Sequence, residues 1–144
     1  GDVTTYWQDT STGAKSNSLT VLSLTYTSSG QPVTISFTCN DIILQTTSYF
    51  SPTQSYIRLY ADLYRGASLI KSYQVAYVTK TYEENYTRYW EYKFRTGVFT
   101  YLDNNTTTGS RTYEVKFRLV AGSRVFGDTF GVRDPTLLAL EVKR

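Results

Sequence analysis

The residues of this chain equipped for hydrolytic chemistry are carboxylates, among them Asp41, Asp62, Glu83, Glu84, Glu91, Asp103, Glu114, Asp128, Asp134 and Glu141. A glycosidase needs two of them held about 5–9.5 Å apart across a sugar-binding cleft. Glu83 and Glu84 are adjacent and diverge on an extended chain, because successive strand side chains point to opposite sides. Asp128 and Asp134 lie in the stretch FGDTFGVRDP, whose glycines would let backbone approach a ligand, but their spacing matches no catalytic pair. Histidine is absent altogether. That removes the usual proton shuttle at neutral pH and the commonest zinc ligand, and it rules out a Ser-His-Asp or Cys-His enzyme. The single cysteine, Cys39, permits neither an intramolecular disulfide nor a cysteine-based metal cluster. It follows Val33, Ile35 and Phe37 at alternate positions, the setting of a buried, inert thiol. The expectation is a protein that is not an enzyme and that uses no cofactor and no metal.

Binding chemistry is better represented. The stretch TYEENYTRYWEYKF, Thr81 to Phe94, interleaves aromatic rings with charges. From Arg88 onward, Trp90, Tyr92 and Phe94 alternate with Tyr89, Glu91 and Lys93, so this half reads as a strand whose large rings fill a core. Upstream, Tyr82, Glu83, Glu84, Asn85, Tyr86 and Thr87 do not alternate, and they fall where a loop is expected. Tyrosine is amphipathic and costs little rotamer entropy to immobilise, and an exposed ring face can stack on a sugar. Tyr82, Glu83, Glu84, Asn85, Tyr86, Arg88 and Tyr89 are therefore the candidate receptor-binding residues. The alternative is that these tyrosines pack along the edge of their own sheet. A second aromatic row, Tyr60 and Tyr64 with Arg58 and Asp62, is expected on the outward face of its strand, in cross-strand packing beside Tyr73 or Tyr77. The oxygen-rich run Leu102 to Gly109 lacks the acidic density of a calcium loop and reads as a polar turn. The sequons at Asn85, Asn104 and Asn105 do not choose a compartment.

The elements that must position these residues are strands. At 144 residues the chain fits one domain. Its net charge of +3, from 15 basic and 12 acidic residues, is spread without a Lys/Arg run, too diffuse for a nucleic-acid footprint. No apolar run approaches the ~18 residues of a membrane span, and no signal-peptide pattern opens the chain, so a soluble protein without membrane insertion is expected. Methionine is absent, including at position 1, and the expectation is a processed or excised piece of a longer protein.

In RTYEVKFRLVAG, Tyr113, Val115, Phe117 and Leu119 fall on one face and Thr112, Glu114, Lys116 and Arg118 on the other, the pattern of a half-buried antiparallel strand. Val33, Ile35, Phe37 and Cys39 repeat it, as do Ile57, Leu59, Ala61 and Leu63. Arg65-Gly66-Ala67-Ser68 reads as a hairpin turn, and further turns are marked at Ser28-Ser29-Gly30, from Asp103 to Gly109, at Ala121-Gly122-Ser123 and at Asp134-Pro135. This spacing of strands and turns suggests a sandwich or jelly roll. Two strands break the half-buried rule. In LTVLSLTY, Leu19 and Val21 oppose Leu22, Leu24 and Tyr26. In TLLALEV, Leu137 and Ala139 oppose Leu138, Leu140 and Val142. A strand apolar on both faces must be covered on both faces. One cover is the core, and the second is either another subunit or a loop folded over the outer face. Leu22, Leu24, Tyr26, Leu138, Leu140 and Val142 are the candidate subunit interface.

The C-terminal third, with Thr112-Tyr113-Glu114-Val115-Lys116-Phe117-Arg118 followed by a terminal strand from Leu137 to the basic pair Lys143-Arg144, resembles the distal domains of bacteriophage tail fibre and tail-tip proteins. The hairpin IRLYADLYRGASLIKS matches them loosely. Such domains look like tumour-necrosis-factor-type jelly rolls that assemble as trimers. The resemblance implies an all-β antiparallel sandwich of jelly-roll type, a homotrimer whose inner sheet contains the first and last strands, and a place on the virion at the tail tip. Residues 1–18 are expected as a lead-in and 19–144 as the jelly roll. The implied function is attachment of the particle to a bacterial surface receptor, polysaccharide or outer-membrane protein. A monomeric carbohydrate-binding module and a trimerisation domain without ligand are the rival readings.

Overall fold

The computed structural model describes residues 3–7, 16–47, 55–84, 88–95, 99–121 and 129–141. Eleven strands carry nearly all of them: β1 (Val3–Trp7), β2 (Ser16–Ser28), β3 (Val33–Thr38), β4 (Asp41–Thr47), β5 (Ser55–Arg65), β6 (Ser68–Lys80), β7 (Tyr89–Arg95), β8 (Phe99–Asp103), β9 (Gly109–Ala121), β10 (Thr129–Arg133) and β11 (Thr136–Glu141). Every pairing is antiparallel. One layer has the order β2-β9-β5-β6. The other is written as two sheets, β1-β10-β4-β7 and β11-β3-β8. Because β3 runs into β4, β7 into β8 and β10 into β11, and the pieces pair in the same order, these two sheets form a single layer broken across its middle. Among the described residues, counting each broken strand once gives eight strands in two four-stranded layers. Their orders are first–eighth–third–sixth and second–seventh–fourth–fifth, which is the jelly roll.

The break has a simple physical effect. On β3 the buried residues are Val33, Ile35, Phe37 and then Cys39, whereas on β4 they are Ile42, Leu44 and Thr46. On β10 and β11 the inward set passes from Phe130 and Val132 to Leu137 and Ala139, and on β7 and β8 from Tyr92 and Phe94 to Phe99 and Tyr101. All three neighbouring strands thus change phase at the same level. Alternation continues on both sides of the break, and both halves present apolar side chains to one core. The break itself is built from polar local chemistry. Pro135 cannot donate to the ladder, and Asp134 stands in the left-handed region at φ 50°. The Asn40 amide N–H donates to the Arg133 carbonyl at 2.9 Å, and the Asn40 side chain to the Asp134 carboxylate at 2.8 Å.

The second layer supplies the opposite wall. Ile57, Leu59, Ala61 and Leu63 of β5 and Tyr113, Val115, Phe117 and Leu119 of β9 are sealed from solvent, as their alternation predicts. Between the layers Tyr73, Phe99, Phe37, Phe117 and Phe130 form a chain of ring contacts with centroids 4.5 to 5.8 Å apart. This chain spans the break, with Phe99 and Phe37 on one side of it and Phe130 on the other. The β5–β6 hairpin closes through Gly66-Ala67, and the positive φ of 59° at Gly66, the first loop position, fits a type II′ turn.

Two sequence expectations change here. The segment 1–18, expected as a lead-in, contributes β1, paired with β10, and the beginning of β2. A strand laid against one already in a sheet needs no strong alternation of its own, and Val3 to Trp7 shows none. The reading of β2 as apolar on both faces is also corrected. The register passes from Leu19 opposite Phe117 to Leu22 opposite Val115, with Val21 the extra residue of a β-bulge. Beyond the bulge Leu22, Leu24 and Tyr26 lie opposite Val115, Tyr113 and Arg111, all buried, and Leu22 and Tyr26 pack against the core. The two apparent faces are one face seen through a change of phase.

Phe37 is fully buried and touches both Phe99 and Phe117. Phe37→Ala is expected to destabilise the fold by about 3–5 kcal/mol, measurable as a lowered urea midpoint. A loss below about 1 kcal/mol would mean that the aromatic chain is not what joins the two layers.

Candidate functional site

The connection between β6 and β7 carries the first candidate surface. Tyr82 is 44% exposed, Glu84 is exposed and Glu83 is half-buried. Arg88 closes the loop by an ion pair to Glu83 at 3.5 Å and lies 5.7 Å from the centre of the Trp90 ring. Tyr89 opens β7 opposite Thr47. Asn85 and Tyr86 lie outside the described residues. The structure therefore brings Tyr82, Glu83, Glu84 and Arg88 together at the end of the sandwich where β4 finishes and β7 begins. Downstream Tyr92 and Phe94 pack against the core and Glu91 and Lys93 are exposed, as expected, whereas Trp90, expected in the core with them, is only half-buried, with Arg88 5.7 Å from its ring centre.

The second surface is the outer face of β11-β3-β8. Leu137 and Ala139 pack inward, and Leu138 and Leu140 stand outward, 54% and 65% exposed. Unlike β2, β11 has no bulge, so its two apolar faces are real. Cross-strand register places Leu140 beside Thr34 and Leu102, and Leu138 beside Ser36 and Thr100. Leu102 is itself 49% exposed. The patch is made of leucine and hydroxyl side chains with no charge. On the other half of the same layer the outward residues include Asp41, Gln45, Glu91, Lys93 and Arg133, and Gln45 donates to Glu91 at 3.0 Å. Val142 lies outside the described residues.

The leucine half is stiffened by a polar network at its end. Arg65 donates twice to Asp103, at 2.7 and 2.8 Å, and the Tyr113 hydroxyl donates to the same carboxylate at 2.5 Å. Arg111, buried beside them, donates to the Tyr113 hydroxyl at 3.1 Å, to Asn105 Oδ1 at 2.8 Å and to the Thr107 carbonyl at 2.5 Å. Three oxygens of the 104–108 loop, the Asn105 carbonyl and side-chain oxygens and the Thr107 carbonyl, are thus taken by a guanidinium. Gly30, at φ 92°, lets the β2–β3 turn pass close to this loop, since a Cβ there would meet the Thr106 carbonyl at 3.2 Å. Glu141, at the end of β11, accepts from the Ser29 amide at 2.8 Å and its hydroxyl at 2.6 Å.

Electrostatics follow from this geometry. Burial works against the charge on Asp103, but hydrogen bonds from Tyr113, Arg65 and the Asn105 amide outweigh it and hold the carboxyl below its usual range. Burial, and then the hydrogen bond to Asp103, push the Tyr113 phenol up, which keeps it a donor.

The third surface, the outer face of β2-β9-β5-β6, carries the second aromatic row. Tyr60 and Tyr64 point outward as expected, and Tyr77 stands beside Arg58, opposite it in the register. Tyr73 turns the other way and stacks on Phe99 at 4.5 Å, because a bulge between Leu59 and Tyr60 changes the phase of β6. Sequence reasoning missed the cations of β9 on this face: Arg118 lies 4.4 Å from the Tyr60 ring centre and Lys116 4.4 Å from that of Tyr64. The signal was present in the alternation of RTYEVKFRLVAG, which already placed both outward.

No family model matches the chain, and no curated protein matches it. Among solved structures the chain is similar to a structure of infectious bursal disease virus, Gt strain, at TM-score 0.45 and 13% identity, over 98% of this chain and 31% of that one. A mutant VP2 protein of infectious bursal disease virus from T=1 particles gives TM-score 0.40 at 12% identity, over 96% and 32%. The virus Gx strain gives TM-score 0.35 at 10% identity, over 97% and 32%. The chain spans about a third of the length of these chains.

Because the folded Asp103 carboxyl titrates below its unfolded value near ~3.9, its contribution to stability is complete above that value and is lost as pH falls through the folded one. Asp103→Asn is expected to cost about 3 kcal/mol at pH 7 and to lose less further stability than the parent between pH 5 and pH 2, measured by denaturant titration at each pH. Equal acid sensitivity in both proteins would show that this carboxylate does not carry the effect.

Proposed function

We propose that this chain is the distal, receptor-binding domain of a bacteriophage tail fibre or tail tip, assembled as a homotrimer through the outer face of β11-β3-β8. The observation that carries the assembly is the pair Leu138 and Leu140, exposed on a strand whose other face is in the core and joined by Leu102 and hydroxyl side chains without a charge. Full burial of a leucine contributes about 1.5–3 kcal/mol, and a second and third copy of the same face supply that burial by closed rotational symmetry. The jelly-roll topology and the resemblance of the C-terminal third to tail-tip domains support the virion reading.

In this arrangement Tyr89, opposite Thr47, lies at most about 40 Å along the layer from Leu140, opposite Thr34, since 13 residues at about 3.3 Å each separate Thr34 from Thr47. Assembly at one half leaves the loop of each copy free at the other. Three equivalent sites on one rigid body raise the effective concentration after first contact, so avidity exceeds single-site affinity by about 10²–10⁴-fold. The receptor is a bacterial surface glycan or outer-membrane protein, and attachment involves no chemical step.

Light scattering is expected to give three times the 16.4 kDa chain mass. Leu138→Asp with Leu140→Asp is expected to give the single-chain mass with the strand content intact, because both side chains face solvent in the isolated chain. A parent protein of single-chain mass would contradict the assembly. In cell adsorption, Tyr82→Ala is expected to weaken attachment without changing the mass. A trimer that adsorbs to no bacterial envelope would leave only a structural trimerisation role.

A further inference from the structure

The outward face of β9, β5 and β6 is a ladder of tyrosines, each with a cation on its ring. Arg58 lies 4.6 Å from the Tyr56 ring centre and 5.4 Å from that of Tyr77, Arg118 covers Tyr60, and Lys116 covers Tyr64. Tyr56, Tyr60 and Tyr64 recur every fourth residue along one strand, at intervals of about 13 Å. A cation resting on a ring is a common way to cover aromatic surface, so the ladder by itself is no site.

The partners of the three cations differ. Arg118 is neutralised by Asp62, donating to its two oxygens at 2.8 and 3.2 Å, and Ser72 donates to the same carboxylate at 2.7 Å. Asp62 is sealed from solvent. Glu114 shares the face on its β2 side and accepts from Thr20 at 3.3 Å. Among the described residues neither Arg58 nor Lys116 has a carboxylate partner. Both are held by a ring face in a fixed place and remain half-exposed. The sheet neutralises one of its three cations with a dedicated buried acid and leaves the two on either side of it charged.

We propose that this face binds an acidic polysaccharide, with Arg58 and Lys116 pairing with its anionic groups and the hydroxyls of Tyr56, Tyr60, Tyr64 and Tyr77 hydrogen-bonding its sugars. Lys116 is opposite Asp62, four residues from Arg58 on the neighbouring strand, so the two charges lie about 14 Å apart on an open surface. That suits an extended polymer with repeated charges. A neutral glycan would need free ring faces to stack on, and here cations occupy them. A nucleic acid would need many more unneutralised cations to follow its phosphates. A protein hot spot would need a ring that protrudes into a partner's pocket, whereas Tyr56, Tyr60 and Tyr64 lie half-buried under their cations and Tyr77, 44% exposed, is stacked on Tyr56 beside Arg58. The inference rests on the reading of the chain as a receptor-binding domain and adds to the surface at Tyr82 a second one on the other layer, whose ligand class it names. The face belongs to the layer opposite the leucine patch, so assembly leaves it open.

The test is retention on immobilised polygalacturonate and on polyglycerol phosphate, with dextran as the neutral control, on protein whose mass is measured in the same sample. The parent protein should be retained on at least one acidic polymer, with affinity falling as salt rises, and not on dextran. Arg58→Gln with Lys116→Gln should weaken retention by about tenfold. Lys93→Gln, which removes a charge from the other layer, should leave it unchanged. Retention on neither acidic polymer, equal retention on dextran, an equal effect of Lys93→Gln, or equal competition by duplex DNA would overturn the proposal. Acid-specific binding without adsorption to any bacterium would keep the site and remove the receptor reading. A single-chain mass with acid-specific binding would remove only the trimer.

Discussion

Three neighbouring strands change phase at one level, and the rest of the molecule depends on it. Without that shift, the alternation that buries Val33, Ile35 and Phe37 would turn Ile42 and Leu44 outward and bring Asp41 and Ile43 in. The break spares the core this inversion by inserting a polar joint, in which Asn40 bridges to Arg133 and Asp134 beside a proline that cannot donate. The ring contacts of Phe37, Phe99, Phe117 and Phe130 then run across the joint, so dispersion and apolar burial hold together what the backbone ladder does not.

The same break gives the layer two outer characters. One half shows acids, amides and bases that hydrogen-bond one another across strands. The other shows leucines among threonines and serines, with its free end fastened by the Asp103, Arg65, Tyr113 and Arg111 network and by Glu141 on Ser29. A satisfied buried network is rigid because every member would lose a partner by moving. The opposite layer, whose outer face is a ladder of tyrosines and cations, is free to meet something else.

Much of this was legible in the sequence wherever alternation runs uninterrupted. β9, β3 and β5 read correctly in their alternation, as did the hairpin at Gly66 and the two-sided β11. What misled was phase. In β2 an extra residue at Val21 made a single inward face look like two, and in β6 a bulge sent Tyr73 inward and left Tyr77 outside. A bulge leaves no compositional mark when the inserted residue is as apolar as its neighbours, so only the register of the partner strand discloses it. The polar network was illegible for another reason. Arg65, Asp103 and Arg111 are far apart in sequence or separated by a loop, and each alone reads as a surface residue. For the loop from Tyr82 to Tyr89 the chemistry was legible, but a recognition surface depends on backbone path, which no alternation fixes.

The central claim, that copies of the chain meet on the outer face of β11-β3-β8, is tested most directly by a spin label at its margin. Thr38→Cys places an exposed thiol there, while the native Cys39 is buried. Dipolar spectroscopy on the labelled protein should give a defined label-to-label distance that vanishes when Leu138 and Leu140 are replaced by Asp. A featureless decay from the labelled parent, at concentrations where the protein is folded, would contradict the claim.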